Sequence, residues 1–205
     1  MTAPAQRWSK LHHGIDPAGV PLLGPWLSLM WWLAAPLVRL RVPPTAVTVA
    51  GVLLAVDAVL LAGRYPWAAG VCVLASVVCD GLDGAVAVVG DAATRSGAIA
   101  DAMADRISDV AMAAVIWRCG APWELAATAG VLAVGIDAVR RVRRIPGRIT
   151  VAERPTWTIC VLLACLCATL GPADWPATVC AGVWVALAVL GTGQLLRTAP
   201  APSPR

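Results

Sequence analysis

Residues 80–105 read DGLDGAVAVVGDAATRSGAIADAMAD and set four carboxylates into a chain that is otherwise strongly apolar. Asp80 and Asp83 are three apart and Asp101 and Asp105 four apart, so on helices each pair occupies one face. Six of the twelve acidic residues fall between Asp80 and Asp109, amid Ala, Val, Leu and Cys. Ionised carboxylates in or near hydrocarbon are costly, and their default reading is functional, with a cation as partner. A divalent metal is the economical source of that charge. Oxygen-only ligands suit Mg²⁺ or Mn²⁺ rather than zinc. Gly81, Gly84 and Gly97 stand beside these ligands and leave room for a phosphate or nucleotide to approach the backbone. Taken singly, each glycine serves close helix packing equally well.

The elements that must hold these residues follow from composition. The 205 residues are 59% hydrophobic and 14% charged, where a soluble domain carries nearer a quarter charged residues. Long apolar stretches alternate with short polar ones, and the period-2 alternation of a membrane barrel is absent. The reading is an all-α polytopic membrane protein of about six transmembrane helices in one domain. Spans are expected at 45–62, 67–87, 97–117, 123–139, 155–171 and 177–196. Pro44, Pro66, Pro122, Pro155 and Pro176 stand near five of these starts, where a missing N–H costs nothing.

Residues 1–43 read as a leader followed by an aromatic-rich amphipathic helix at 21–41 lying in the membrane interface, with a seventh span as the alternative. Residues 44–197 form the six-helix domain, and 198–205, TAPAPSPR, a disordered tail. The leader has no apolar run directly after its charges, so no cleaved signal peptide is expected, and His12 and His13 read as solvated. Seven scattered cysteines without a CxxC pair indicate neither a disulfide framework nor a zinc site.

Basic residues orient the chain. With a cytoplasmic N-terminus, Arg64 and Arg118 fall outside, Arg106 falls within a span, and the other thirteen of sixteen face the cytoplasm. That topology predicts a multi-pass plasma-membrane protein with both aspartate pairs on the cytoplasmic side. The cluster Arg140, Arg141, Arg143, Arg144, Arg148 and Arg154 reads by default as a topology signal or a lipid-headgroup contact. Asp109 extends the Asp101–Asp105 face by a turn, with Arg106 or the metal site's surroundings as its partner. Asp137 precedes the arginine cluster, where an ion pair is the ordinary expectation. Asp57, deep in the first span, has no sequence-local partner.

The order Asp80-x2-Asp83-Gly84-x2-Ala87-x9-Gly97-x3-Asp101-x3-Asp105 resembles the signature of the CDP-alcohol phosphatidyltransferases, with Val88 where that family has Arg. Upstream, Pro44-Thr45-x2-Thr48 resembles the family's P-N-x2-T, with Thr45 in place of Asn. Downstream, Glu153-Arg154-Pro155 resembles the E-R-P of members that use phosphorylated alcohols, and Trp157 stands where a further Arg is common. The resemblance implies six transmembrane helices, a homodimer and a requirement for Mg²⁺ or Mn²⁺. It implies transfer of a phosphatidyl-type group from a CDP-linked lipid, CDP-diacylglycerol, to a small alcohol with release of CMP, in phospholipid biosynthesis.

On that reading Asp80, Asp83, Asp101 and Asp105 are metal ligands, and Asp105 is also the general base. Gly84, Ala87 and Gly97 wall the cytidine nucleotide. Arg140 and Arg154 resemble family positions that hold an acceptor phosphate, as in glycerol 3-phosphate or inositol phosphate. Membrane lipids are the surroundings, and no nucleic-acid partner is expected. An intramembrane Mg-dependent prenyltransferase is the rival enzyme, although it needs about nine helices and two distant motifs. A divalent-cation carrier would show an internal repeat, and no second DxxDG occurs. A catalytically degenerate family member, suggested by Val88, is the remaining alternative.

Overall fold

The computed structural model describes residues 23–142, 150–171 and 174–197. The leader, the expected tail, and Arg143, Arg144 and Arg148 lie outside them. The described residues form seven helices and no strand: α1 (Leu23–Arg39), α2 (Pro44–Ala62), α3 (Pro66–Val89), α4 (Arg95–Arg118), α5 (Trp123–Val142), α6 (Arg154–Leu170) and α7 (Trp175–Arg197). The last six start and end within about three residues of the expected spans. Pro44 and Pro66 each open a helix, and Pro155 lies in the first turn of α6.

Helix ends close by a common device. Val42 N bonds Leu37 O, Ala92 N bonds Ala87 O, and Ala121 N bonds Ile116 O. The residue before each of these donors has positive φ: Arg41 (57°), Asp91 (52°) and Gly120 (111°). This six-to-one closure satisfies the last carbonyls of α1, α3 and α4.

Helices α2, α3 and α7 are long and apolar enough to cross a membrane, and α6 is a shorter apolar helix. α4 and α5 carry more charge. Even so, the exposed large side chains of α4 are Ile99, Met103, Ile107, Val110 and Trp117, while Ser108 and Asp109 are buried. α4 thus exposes large apolar side chains while burying Ser108 and Asp109 among Ala111, Met112, Val115 and Ile116.

Two compact units can be distinguished. The first comprises residues up to Leu53 together with Ala75–Asp105. Its core joins Met30 and Ala34 of α1 to Ala85 and Val86 of α3, with Trp31, Leu37 and Val89 around them. The helix expected at 21–41 therefore forms, runs through Pro36, and packs one face on protein. In the same unit α2 approaches α3 at Gly51, where an added Cβ would lie 3.0 Å from Cys79 Cβ and where Ser76 Oγ donates to Gly51 O at 2.8 Å.

The second unit comprises Leu54–Leu74 and Arg106–Arg205. Here α7 packs against α5 and α6, with Trp157 and Trp184 stacked at 6.0 Å. An added Cβ on Gly130 of α5 would lie 3.0 Å from Ala113 of α4.

Candidate active site

In the first unit the turn before α4 is set by Thr94, whose Oγ1 accepts from Gly97 N at 3.0 Å and so caps the helix. One turn on, Asp101 and Asp105 share a face of α4. One oxygen from each of Asp80, Asp101 and Asp105 falls within 4.8 Å of the others. Three carboxylates this close repel one another without a cation, and their hard oxygens form a donor set suited to Mg²⁺ or Mn²⁺.

Asp83 is held differently. It is 4% exposed, its Oδ2 accepts from Thr48 Oγ1 at 2.5 Å, and its Oδ1 accepts from Gly84 N at 2.6 Å. Thr48 also lies 3.2 Å from Pro44 O, one turn back on α2. The four aspartates thus divide into a converging trio and a fourth whose two oxygens are each fixed by a donor.

The glycines divide as well. Gly81 faces α1, since an added Cβ would meet Trp26 at 3.0 Å and the Met30 sulfur at 3.3 Å. Its bareness serves helix packing. Gly84 is exposed with nothing within 4 Å of an added Cβ, which leaves an open face beside Asp83. Ala87 is half-buried on the same helix, and Gly97 has Thr94 Oγ1 at 3.0 Å from an added Cβ. Val88 is 5% exposed, so an apolar residue suits its position in this chain.

The arginines belong to an ion-pair network within the second unit. Arg106 Nη2 donates to Asp137 Oδ2 at 2.6 Å, and its Nη1 lies 3.4 Å from Asp109 Oδ2. Asp109 is 2% exposed, and its other oxygen lies 3.6 Å from Arg154 Nε. Arg140 Nη1 donates to Asp137 Oδ1 at 3.2 Å, while its Nη2 bonds Glu153 Oε1. Glu153 Oε1 further accepts from Thr150 N at 2.7 Å and Thr150 Oγ1 at 3.0 Å. Asp137 and Asp109 therefore have the ion pairs expected of them. Sequence reasoning missed the engagement of Glu153 and Thr150 with Arg140 and of Thr48 with Asp83. Of these, only Thr48 and Glu153 carried a signal, as members of the segments Pro44-Thr45-x2-Thr48 and Glu153-Arg154-Pro155.

The 150–153 segment is anchored on α7. Ala152 is buried against Gly191, where an added Cβ would fall 2.5 Å from Ala152 Cβ, and Val151 N donates to Gln194 Oε1 at 3.2 Å.

The family model for CDP-alcohol phosphatidyltransferases matches residues 41–193. No curated protein sequence matches the chain. Among solved structures, phosphatidylinositol phosphate synthase (PgsA1) of Mycobacterium tuberculosis with CDP-DAG bound is similar at 25% identity and a TM-score of 0.72, covering 87% of this chain and 98% of that one. The same enzyme in complex with manganese and citrate is similar at 26% identity and a TM-score of 0.71, covering 86% of this chain and 92% of that one. With the family model spanning far more than half its length, the chain belongs to the CDP-alcohol phosphatidyltransferase family of transferases.

Proposed function

We propose that this protein transfers a phosphatidyl-type group from CDP-diacylglycerol to a small phosphorylated alcohol and releases CMP, in phospholipid biosynthesis. The observation that carries the reading is the convergence of Asp80, Asp101 and Asp105 oxygens within 4.8 Å in a chain of this family. CDP-DAG bound to the similar synthase supports the donor, and manganese in its other structure supports the metal.

Asp80, Asp101 and Asp105 would hold Mg²⁺ or Mn²⁺, with Asp83 steadied beside them by Thr48 and Gly84. When bound, the ion supplies positive charge that offsets the donor's pyrophosphate and the leaving phosphate. The open backbone at Gly84, with Ala87 and Gly97, walls the cytidine nucleotide. Asp105 takes the proton of the acceptor hydroxyl as its oxygen bonds phosphorus and the bond to the CMP oxygen breaks. Arg140 and Arg154 are assigned to the acceptor's phosphate, of the kind found in glycerol 3-phosphate or inositol phosphate. The protein is a homodimer in the plasma membrane with its site facing the cytoplasm.

The test is CMP release by the purified protein from CDP-diacylglycerol and a panel of alcohols. Release is expected with phosphorylated acceptors, abolished by EDTA and restored by Mg²⁺ or Mn²⁺. Full turnover in EDTA overturns the metal assignment. A preference for unphosphorylated alcohols overturns the acceptor assignment.

A further inference from the structure

Glu153 occupies the N-cap position of α6, yet its side chain makes no capping hydrogen bond. Its Oε1 instead gathers Arg140 Nη2, Thr150 N and Thr150 Oγ1. A guanidinium, a backbone N–H and a hydroxyl converging on one anionic oxygen is the donor set that binds a phosphate oxygen. We propose that Glu153 is an internal stand-in for the acceptor's phosphate and that a phosphorylated acceptor must displace it from Arg140 and Thr150. The proposal rests on the acceptor-phosphate reading given above and deepens it by naming the residue that sets the selectivity.

The donors are built to stay in place when the glutamate leaves. Arg140 is tied to Asp137 through Nη1, so its guanidinium keeps one anchor. Its Nε is buried with no hydrogen-bond partner, which leaves a donor unspent. The backbone of Thr150 is fixed by Ala152 against Gly191 and by Val151 N on Gln194. Only the Glu153 side chain needs to swing, and with Arg140 at 21% and Glu153 at 29% exposure it has a path to solvent.

Charge sets the selectivity. Among the described residues, three arginines (Arg106, Arg140, Arg154) face three carboxylates (Asp109, Asp137, Glu153). Departure of Glu153 uncovers one positive charge, which an incoming phosphate covers and a neutral alcohol does not. A phosphate-free acceptor has nothing to gain by the exchange.

The experiment measures inorganic phosphate binding by calorimetry on the full chain in detergent, for wild type, Glu153→Gln and Arg140→Ala. CDP-diacylglycerol binding is measured in parallel, with thermal melting to verify folding. Because Glu153→Gln removes a charge-assisted competitor, it is expected to tighten phosphate binding by about tenfold and leave CDP-diacylglycerol binding unchanged. Glu153→Ala serves as the second variant and is expected to move phosphate affinity in the same direction. If Arg140→Ala weakens phosphate binding but the Glu153 variants leave it equal or weaker, the stand-in role is wrong and the acceptor reading survives. Where Arg140→Ala has no effect, the acceptor reading itself fails and the stand-in role falls with it. A change confined to CDP-diacylglycerol would make the displaced anion the donor's diphosphate and overturn the proposal.

Discussion

Thr48 donates to one oxygen of Asp83 while Gly84 N donates to the other, and the carboxylate they hold is buried. Replacing Thr48 by Val keeps the shape but leaves a buried carboxylate oxygen without its donor, a loss of about 1–3 kcal/mol. Thr48→Val is expected to lower both the melting temperature and kcat, the latter about tenfold, and Thr48→Ser to restore both. Wild-type kinetics in Thr48→Val would show that Asp83 needs no such support. At the trio, Asp101→Asn is expected to cut turnover by orders of magnitude and to abolish the rise in melting temperature on adding Mg²⁺, because ligand binding to the native state is what raises it. A full Mg²⁺-induced shift in that variant would remove Asp101 from the metal site. The trio was legible because its spacing is local: Asp101 and Asp105 are four apart, and one hairpin turn separates them from Asp80. The Thr48 contact joins residues 35 apart on different helices, and no local period reports such a pair. The same holds for Glu153, whose tie to Arg140 depends on how the chain returns between α5 and α6.

At the scale of elements, starts were easier to read than ends. Proline marks the openings of α2, α3 and α6 because it forgoes an N–H that has no partner there. The closures of α1 and α3 use Arg41 and Asp91 at positive φ, where Gly would be the usual signal, so the sequence announces neither. Gly120 closes α4 at φ 111°, and an added Cβ would lie 2.5 Å from Asp174 Oδ1. Gly120→Ala combines backbone strain with that approach and is expected to cost about 1–3 kcal/mol, read as a lower melting temperature. An unchanged melting curve would mean that the turn relaxes without cost. The polar face of α4 was visible as the run Asp101, Asp105, Asp109. Its apolar outer face, Ile99, Met103, Ile107 and Val110, becomes clear only once exposure is known.

For the molecule as a whole, the second unit gathers an aromatic fringe. Tyr65, Trp67, Trp117, Trp123 and Trp175 are exposed and flank the α2–α3, α4–α5 and α6–α7 connections. These connections lie close together, since an added Cβ on Gly63 would meet the Arg118 guanidinium at 2.8 Å and Gly120 abuts Asp174. Amphipathic rings at one end of a bundle suit a membrane–water boundary. In a background stripped of native cysteines, Arg64→Cys is expected to label from outside and Ala92→Cys from the cytoplasmic side. The reverse pattern would refute the proposed orientation. The charges of α4 also bear on how the chain is made. Asp101, Asp105, Arg106 and Asp109 each oppose entry into hydrocarbon by about 2.5–3.5 kcal/mol at mid-depth, more than the surrounding alanines and valines return. Beyond their own pairing within α4, Arg106 is matched by Asp137 of α5, at 2.6 Å, and Asp109 by Arg154 of α6, both of which leave the ribosome after α4. A nascent chain ending in the α4–α5 connection is therefore expected to leave α4 outside the bilayer, and one extended through α5 to carry both across, as a glycosylation reporter in the growing chain would register. On that outcome α4 and α5 enter the bilayer as one unit, joined by the Arg106–Asp137 ion pair.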